Sequence, residues 1–213
     1  MARLDPAAVR ASLQAVREEI AAAGGDPAEV EVLAAVKYVD VEDLGALAEA
    51  GVTLAGENRA QELIRKAQAH PGAFAWDFIG RLQSRKVKQI LPHVRLIHSV
   101  CTDSVLGQLA RHAAPETEVL VEVNLSGEES KDGVAPSELA GFLERCPVRV
   151  AGLMTMPPLA EDPEASRPYF TRLRELAEVH GLRRLSMGTT QDFAVAVQEG
   201  ATIVRVGRRL VAS

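Results

Sequence analysis

Several classes of protein are excluded by what this sequence has little of. Its 213 residues include two cysteines, Cys101 and Cys146, and no CxxC pair. Two isolated thiols cannot frame a disulfide-stapled secreted fold, and a structural or incidental role is the default for each. No apolar run approaches the roughly 18 residues of a membrane span. The N-terminus, Met1-Ala2-Arg3-Leu4-Asp5-Pro6, has no apolar stretch followed by a cleavage site, so the expected location is the cytosol. Net charge is −5 and the basic residues are scattered, which gives no reason to expect nucleic-acid binding. The densest basic group, Arg81 to Lys88, is short enough to be a solvated helix face. Long linkers, low-complexity tracts and obvious internal repeats are missing too. What is left is an ordinary globular composition, 47% hydrophobic and 25% charged. That length predicts one domain over residues 1–213, able to bury roughly 70% of its unfolded surface.

Hydrophobic periodicity then alternates between two and 3.6 with little interruption. The first helix is expected over Pro6–Ala22, with Asp5 as N-cap and Pro6 at its first position. Strands are expected at Val30–Val36, Thr53–Gly56, Ala75–Ile79, Arg95–Ser99, Glu118–Val123, Val148–Leu153, Arg184–Ser186 and Thr202–Val206. Helices fall between them at Val41–Ala50, Arg59–Ala69, Arg85–Leu91, Thr102–Ala113, Pro136–Arg145, Pro163–His180 and Gln191–Gln198. Strands alternating with helices imply parallel pairing. Eight such units predict an α/β fold, a closed (β/α)8 TIM-type barrel with an extra N-terminal helix. An open sheet of Rossmann type is the alternative, but no GxGxxG follows the first strand.

Lys37 is the residue around which function organises. It follows the apolar run Val30 to Val36, and an amine emerging from a buried strand should have a depressed pKa. A neutral amine can attack a carbonyl and form a Schiff base. In a closed barrel the last strand neighbours the first, so Arg205 and Gly207 meet Lys37 at the C-terminal face, with Ser186-Met187-Gly188 beside them. Loops after strands 7 and 8 of such barrels commonly hold phosphate. Gly188 and Gly207 would let backbone amides approach an anion, and a helix opened by Thr189 or Thr190 would aim its N-terminus there. Each feature alone has an ordinary explanation: a snorkelling lysine, a structural arginine, a helix cap. Together they suit a phosphorylated aldehyde held at both ends.

With these residues in hand, nearly the whole chain resembles the pyridoxal phosphate homeostasis proteins, single-domain relatives of the alanine racemase barrel. The shared motifs are Ala35-Val36-Lys37, Gly56-Glu57-Asn58 with Gln61-Glu62, and Phe78-Ile79-Gly80-Arg81-Leu82-Gln83-Ser84-Arg85-Lys86. They continue through His98-Ser99-Val100, Val123-Asn124-Leu125-Ser126 to Ser130-Lys131, Gly152-Leu153-Met154, Leu185-Ser186-Met187-Gly188 and Val204-Arg205-Val206-Gly207. The resemblance implies pyridoxal 5′-phosphate (PLP) as cofactor, joined to Lys37 as an aldimine. It also implies phosphate contacts from Ser186 and Gly207, and Arg205 facing the ring nitrogen. A permanent cation there disfavours protonation of the ring and weakens it as an electron sink. Asn58 and Met154 would line the ring by the same analogy, although plain core packing also suits Met154.

Some positions depart from the family pattern. Tyr38-Val39 follow Lys37 where threonine and lysine are typical, and Asp77 replaces a frequent histidine. Thr189-Thr190 stand for methionine and serine. Arg208-Arg209 replace a small pair after Gly207, and Arg208 can supply a phosphate charge or face solvent. The chain stops at Ser213 without the usual apolar-glycine ending.

Racemisation needs an acid/base on each face of the substrate carbon. Tyr38 should point away from the lysine, and Tyr169 should pack in a helix. His98 alone among the histidines ends a strand. The expected function is therefore a PLP carrier, monomeric, storing or delivering the cofactor to apo-enzymes and supporting amino-acid and keto-acid balance. The alternatives are a weak racemase or a Schiff-base lyase acting on a sugar phosphate. A third is an interaction module that senses the cofactor and uses Arg81–Lys88 as its surface.

Overall fold

The structure is a computed structural model that describes residues 4–128 and 130–211. Met1 to Arg3 and Ser213, which carry the readings of the two termini, lie outside the described residues. Eight parallel strands close into a barrel in sequential order. They are β1 Glu31–Ala35, β2 Leu54–Glu57, β3 Ala75–Phe78, β4 Leu96–Val100, β5 Glu118–Glu122, β6 Arg149–Met154, β7 Arg184–Thr189 and β8 Ile203–Val206. The closing pair is β1 on β8, with Glu31 opposite Ile203 and Ala34 opposite Val206.

The helices around the barrel are α1 Pro6–Ala22, α2 Leu44–Glu49, α3 Ala60–Ala69, α4 Val87–Ile90, α5 Asp103–His112, α6 Leu139–Arg145, α7 Arg167–Val179, α8 Phe193–Gln198 and α9 Arg208–Val211. α1 forms where the sequence predicts it. The Asp5 carboxylate accepts from the Ala7 amide at 3.0 Å, and Val9, Leu13, Val16 and Ile20 fall on one buried stripe. α9 has no counterpart among the expected helices; its Arg209 binds Glu19 of α1, with Nη1 to Oε2 at 2.8 Å.

Several helices are shorter than their hydrophobic pattern suggests. Single turns of 3-10 helix precede α2, α4 and α7, and another follows α4 at Leu91–His93. Pro92 lies in that last turn and has no N–H to continue the α-helical ladder. α6 starts at Leu139 rather than Pro136, and α8 at Phe193 rather than Gln191.

The lumen is filled, as an eight-stranded barrel requires. Leu33, Leu54, Leu96, Leu120, Met154 and Ile203 form one apolar cluster, separate from the larger core between strands and helices. Two strand ends at the C-terminal mouth differ from expectation. β1 stops at Ala35, two residues before Lys37, and β7 runs on to Thr189 instead of ending at Ser186.

Candidate functional site at the C-terminal mouth

Barrel closure places Lys37 and Gly207 on the same rim. A Cβ added to Gly207 would lie 3.3 Å from the Ala35 carbonyl oxygen, so only glycine lets the ends of β8 and β1 run this close without adjustment. Lys37 sits in a turn closed by the Val39 amide on the Val36 carbonyl at 3.0 Å. Its side chain is exposed, so burial in a strand does not desolvate the amine as the sequence suggested. Nor does Tyr38 point away. Strand alternation has ended by this point, and the Lys37 Nζ stands 4.7 Å from the Tyr38 ring centroid.

A second lysine fixes this turn from beneath. Lys66 on α3 is 1% exposed. Its ammonium donates to the Val36 carbonyl at 2.7 Å and to Glu57 Oε2 at 2.6 Å. The other Glu57 oxygen accepts from the amides of Asn58 at 2.8 Å and Arg59 at 3.2 Å. One buried ion pair thus ties the backbone just before Lys37 to the strand end that carries Asn58. The Asn58 Oδ1 is buried and has no hydrogen-bond partner among the described residues. Buried amide oxygens are seldom left in that condition, so this acceptor suits a donor supplied by a bound group. Gly80 lies flush against it, since a Cβ there would fall 2.2 Å from the Asn58 carbonyl oxygen.

The opposite wall is built differently. Arg205 projects from β8 and is 5% exposed. Nη1 donates to the Ser186 carbonyl at 2.8 Å and the Ser186 hydroxyl at 2.6 Å. Nη2 donates to the Thr155 carbonyl at 2.9 Å and lies 2.9 Å from the Met156 sulfur. No carboxylate among the described residues comes within ion-pair distance of it. Burial pushes the guanidinium pKa down to about 10, against opposing pulls from Glu122 and Asp192, and it remains a cation at neutral pH. Beneath it, Ser186 Oγ lies 2.9 Å from His98 Nδ1, and His98 Nε2 lies 3.0 Å from Asp77 Oδ2.

Between the loops after β7 and β8, Thr190 accepts from the Gly207 amide at 3.3 Å. Asp192 secures the first of these loops by accepting from the Thr189 amide at 2.6 Å and the Thr189 hydroxyl at 3.0 Å. Arg208 is exposed at the start of α9.

Against this geometry, the alanine racemase N-terminal domain family matches residues 4–212. A pyridoxal phosphate homeostasis protein of Aquifex aeolicus is 40% identical over 212 residues, covering 93% of each chain. The chain belongs to the pyridoxal phosphate homeostasis protein family. PipY of Synechococcus elongatus, a structure solved with PLP bound, superposes with a TM-score of 0.81 at 28% identity, covering 96% of this chain and all of that one. A structure from Bifidobacterium adolescentis described as an unknown protein gives a TM-score of 0.86 at 32% identity, over 96% of this chain and 95% of the other.

Within this family framework the predicted residues divide into three groups. Lys37, Asn58, Arg205, Gly207 and Arg208 reach or rim the mouth. Ser186 and Met154 lie deeper: the Ser186 hydroxyl is buried between Arg205 and His98, and Met154 packs in the lumen cluster. A phosphate contact from Ser186, as the resemblance implies, would have to displace one of those bonds. Gly188 is glycine for another reason than anion approach. Its φ is +86°, and an added Cβ would lie 2.5 Å from Ala196 Cβ and 2.9 Å from Phe193 Cα, where α8 packs. No helix opens at Thr189 or Thr190, because Asp192 turns the chain there and α8 begins at Phe193.

Sequence reasoning overlooked Lys66, the partners of Asp77, and Glu122. Glu122 ends β5, nearly buried, and makes no side-chain hydrogen bond among the described residues. Burial, reinforced by Asp132, raises its carboxyl pKa to about 7.

Proposed function

We propose that this protein binds PLP through Lys37 and serves PLP homeostasis, storing the cofactor and handing it to apo-enzymes. The observation that carries the reading is the pairing of β1 with β8. It sets the exposed amine of the Ala35-Val36-Lys37 motif on the same rim as a buried arginine, free of carboxylate partners among the described residues, and the Gly207 turn. When bound, PLP supplies an aldehyde that an amine can take up covalently and a ring that can withdraw electrons.

The chain's own groups divide the work of holding it. Lys37 is the nucleophile, held in place through the Lys66 bond to its turn. Arg205 is assigned the ring nitrogen, where a guanidinium opposes protonation and so restrains carbanion chemistry. Asn58 supplies its unpartnered oxygen. The Gly207 amide, Thr190 and Arg208 form the anion-facing side, with Arg208 replacing by charge what the family often provides as a hydroxyl. This assignment favours retention of the cofactor over turnover.

Freshly purified protein should be yellow, and borohydride should fix a pyridoxyl group on Lys37, identified by peptide mass spectrometry. Lys37→Ala should abolish the fixed adduct. Colourless protein that takes up no added PLP, or undiminished fixation in Lys37→Ala, would sink the reading. Delivery is tested separately, by the rate at which the loaded protein activates a PLP-requiring apo-enzyme relative to free PLP at equal concentration.

A further inference from the structure

The polar groups under Arg205 do not end at Asp77. Arg95 Nε donates to Asp77 Oδ1 at 3.0 Å, and its Nη2 donates to Oδ2 at 2.7 Å. The same guanidinium holds Glu31 at 2.5 and 3.1 Å, and Arg184 reaches Glu31 at 3.2 Å. A continuous chain therefore runs from charged groups on β1, on β7 and immediately before β4, through Asp77, His98 and Ser186, to Arg205.

Hydrogen-bond chemistry restricts the proton order of this chain. A guanidinium donates and never accepts, so the Ser186 oxygen must accept from Arg205. At the other end the Asp77 carboxylate can only accept, so His98 Nε2 must carry a proton; with the ring neutral, Nδ1 is then bare and accepts from the Ser186 hydroxyl. A neutral imidazole with a bare Nδ1 carries its proton on Nε2, where the Asp77 carboxylate accepts it. Burial would raise the Asp77 pKa, but bonds from His98 and Arg95 outweigh it and hold the carboxyl below its ordinary range. Burial likewise lowers the His98 pKa, against the pull of Asp77, which keeps the ring neutral.

We infer that Asp77 and His98 are positioning residues that order this chain and thereby aim the Arg205 guanidinium at the mouth, without touching the bound group themselves. The inference rests on the PLP-binding reading given above. It also accounts for the departure at position 77. Asp77 lies buried between His98 and Arg95 and serves both at once, which a carboxylate can do with two oxygens.

Two measurements test it. The first needs neither variant nor cofactor: nitrogen-15 NMR of histidine-labelled protein. His98 should be neutral at pH 7 and above, with its proton on Nε2. A proton on Nδ1, on a neutral ring or on an imidazolium, overturns the inference.

The second measurement is PLP titration of Asp77→Asn, His98→Leu and His98→Gln, each checked for folding by thermal melting. In Asp77→Asn the amide cannot accept from both Arg95 and His98 without presenting its NH2 to one of them. Fixation on Lys37 should survive in Asp77→Asn, with PLP affinity about tenfold weaker and a shifted pH profile of the visible band. His98→Leu should match or exceed that loss, and His98→Gln, which keeps a donor and an acceptor, should recover part of it. Wild-type affinity and spectrum in both Asp77→Asn and His98→Leu would overturn the positioning role. The reading beneath it fails differently: wild-type protein with the expected His98 tautomer then takes up no PLP.

Discussion

The two walls of the mouth each bury a cation, and they treat it in opposite ways. On the β1–β2 side, Lys66 meets a carboxylate, and both partners are almost wholly buried. On the β7–β8 side, Arg205 meets carbonyl oxygens, a hydroxyl and a thioether, with no carboxylate among the described residues in contact with it. The first arrangement is electrically complete and works as a clamp. The second leaves a positive field directed at the mouth, which an electron-rich ring nitrogen can use. A buried ion pair therefore marks scaffold here, and a buried cation held by neutral groups marks the binding wall.

That contrast makes its largest prediction for stability. Lys66→Met strands the Glu57 carboxylate in the interior and should cost about 3–5 kcal/mol, measured by urea unfolding. Arg205→Met removes a buried charge with no counter-ion among the described residues and strands neutral acceptors. Its cost should stay below about 2 kcal/mol, although PLP affinity collapses. Equal destabilisation by the two substitutions would erase the distinction between clamp and binding wall. Folded Lys66→Met should also bind PLP more weakly, because the turn under Lys37 loses its anchor at the Val36 carbonyl.

Glu122 sharpens the same comparison from the anionic side. With a folded-state pKa of about 7 against an ordinary 4.5, it is protonated in both folded and unfolded chains at low pH. Between those values only the unfolded chain ionises, so stability falls as pH rises and the full penalty is in place above about 7. Glu122→Gln should therefore change little at pH 5 and stabilise the protein at pH 8, by at most about 3 kcal/mol. A variant equally stabilised, or destabilised, at both pH values would mean that Glu122 has a partner and belongs with the clamp.

How much of this was readable beforehand depended on whether side chains followed a period. The barrel did: apolar runs and helical stripes alternate eight times, and the observed strands fall within a few residues of the expected ones. The site was legible as a set of motifs but not as a division of labour. Lys66 looks like a polar helix residue, yet it continues the buried line of Ala60 and Leu63 on α3, and that spacing beside Glu57 was the available signal. Glu122 likewise shares the inward parity of Leu120 on β5. Register breaks were not legible. A shift between β7 and β8 carries β7 on to Thr189, which moves Gly188 from a loop into a strand packed under α8. The early end of β1 similarly reversed the expectation for Tyr38, since alternation cannot be extended through a turn.

Tyr38 gives the smallest effect and the finest test of the clamp side. Tyr38 is 72% exposed, and the Lys37 Nζ lies 4.7 Å from its ring centroid. An exposed cation–π contact of this kind contributes about 0.5–1 kcal/mol. The free ammonium makes that contact and must give it up when the amine joins an aldehyde. Tyr38→Leu should therefore leave the melting temperature unchanged and tighten PLP binding by about two- to fivefold, the same energy expressed as an equilibrium ratio. The opposite sign, weaker binding in Tyr38→Leu, would mean that the ring supports the bound group rather than the waiting amine, and the aromatic side chain would then join Arg205 as part of the binding wall.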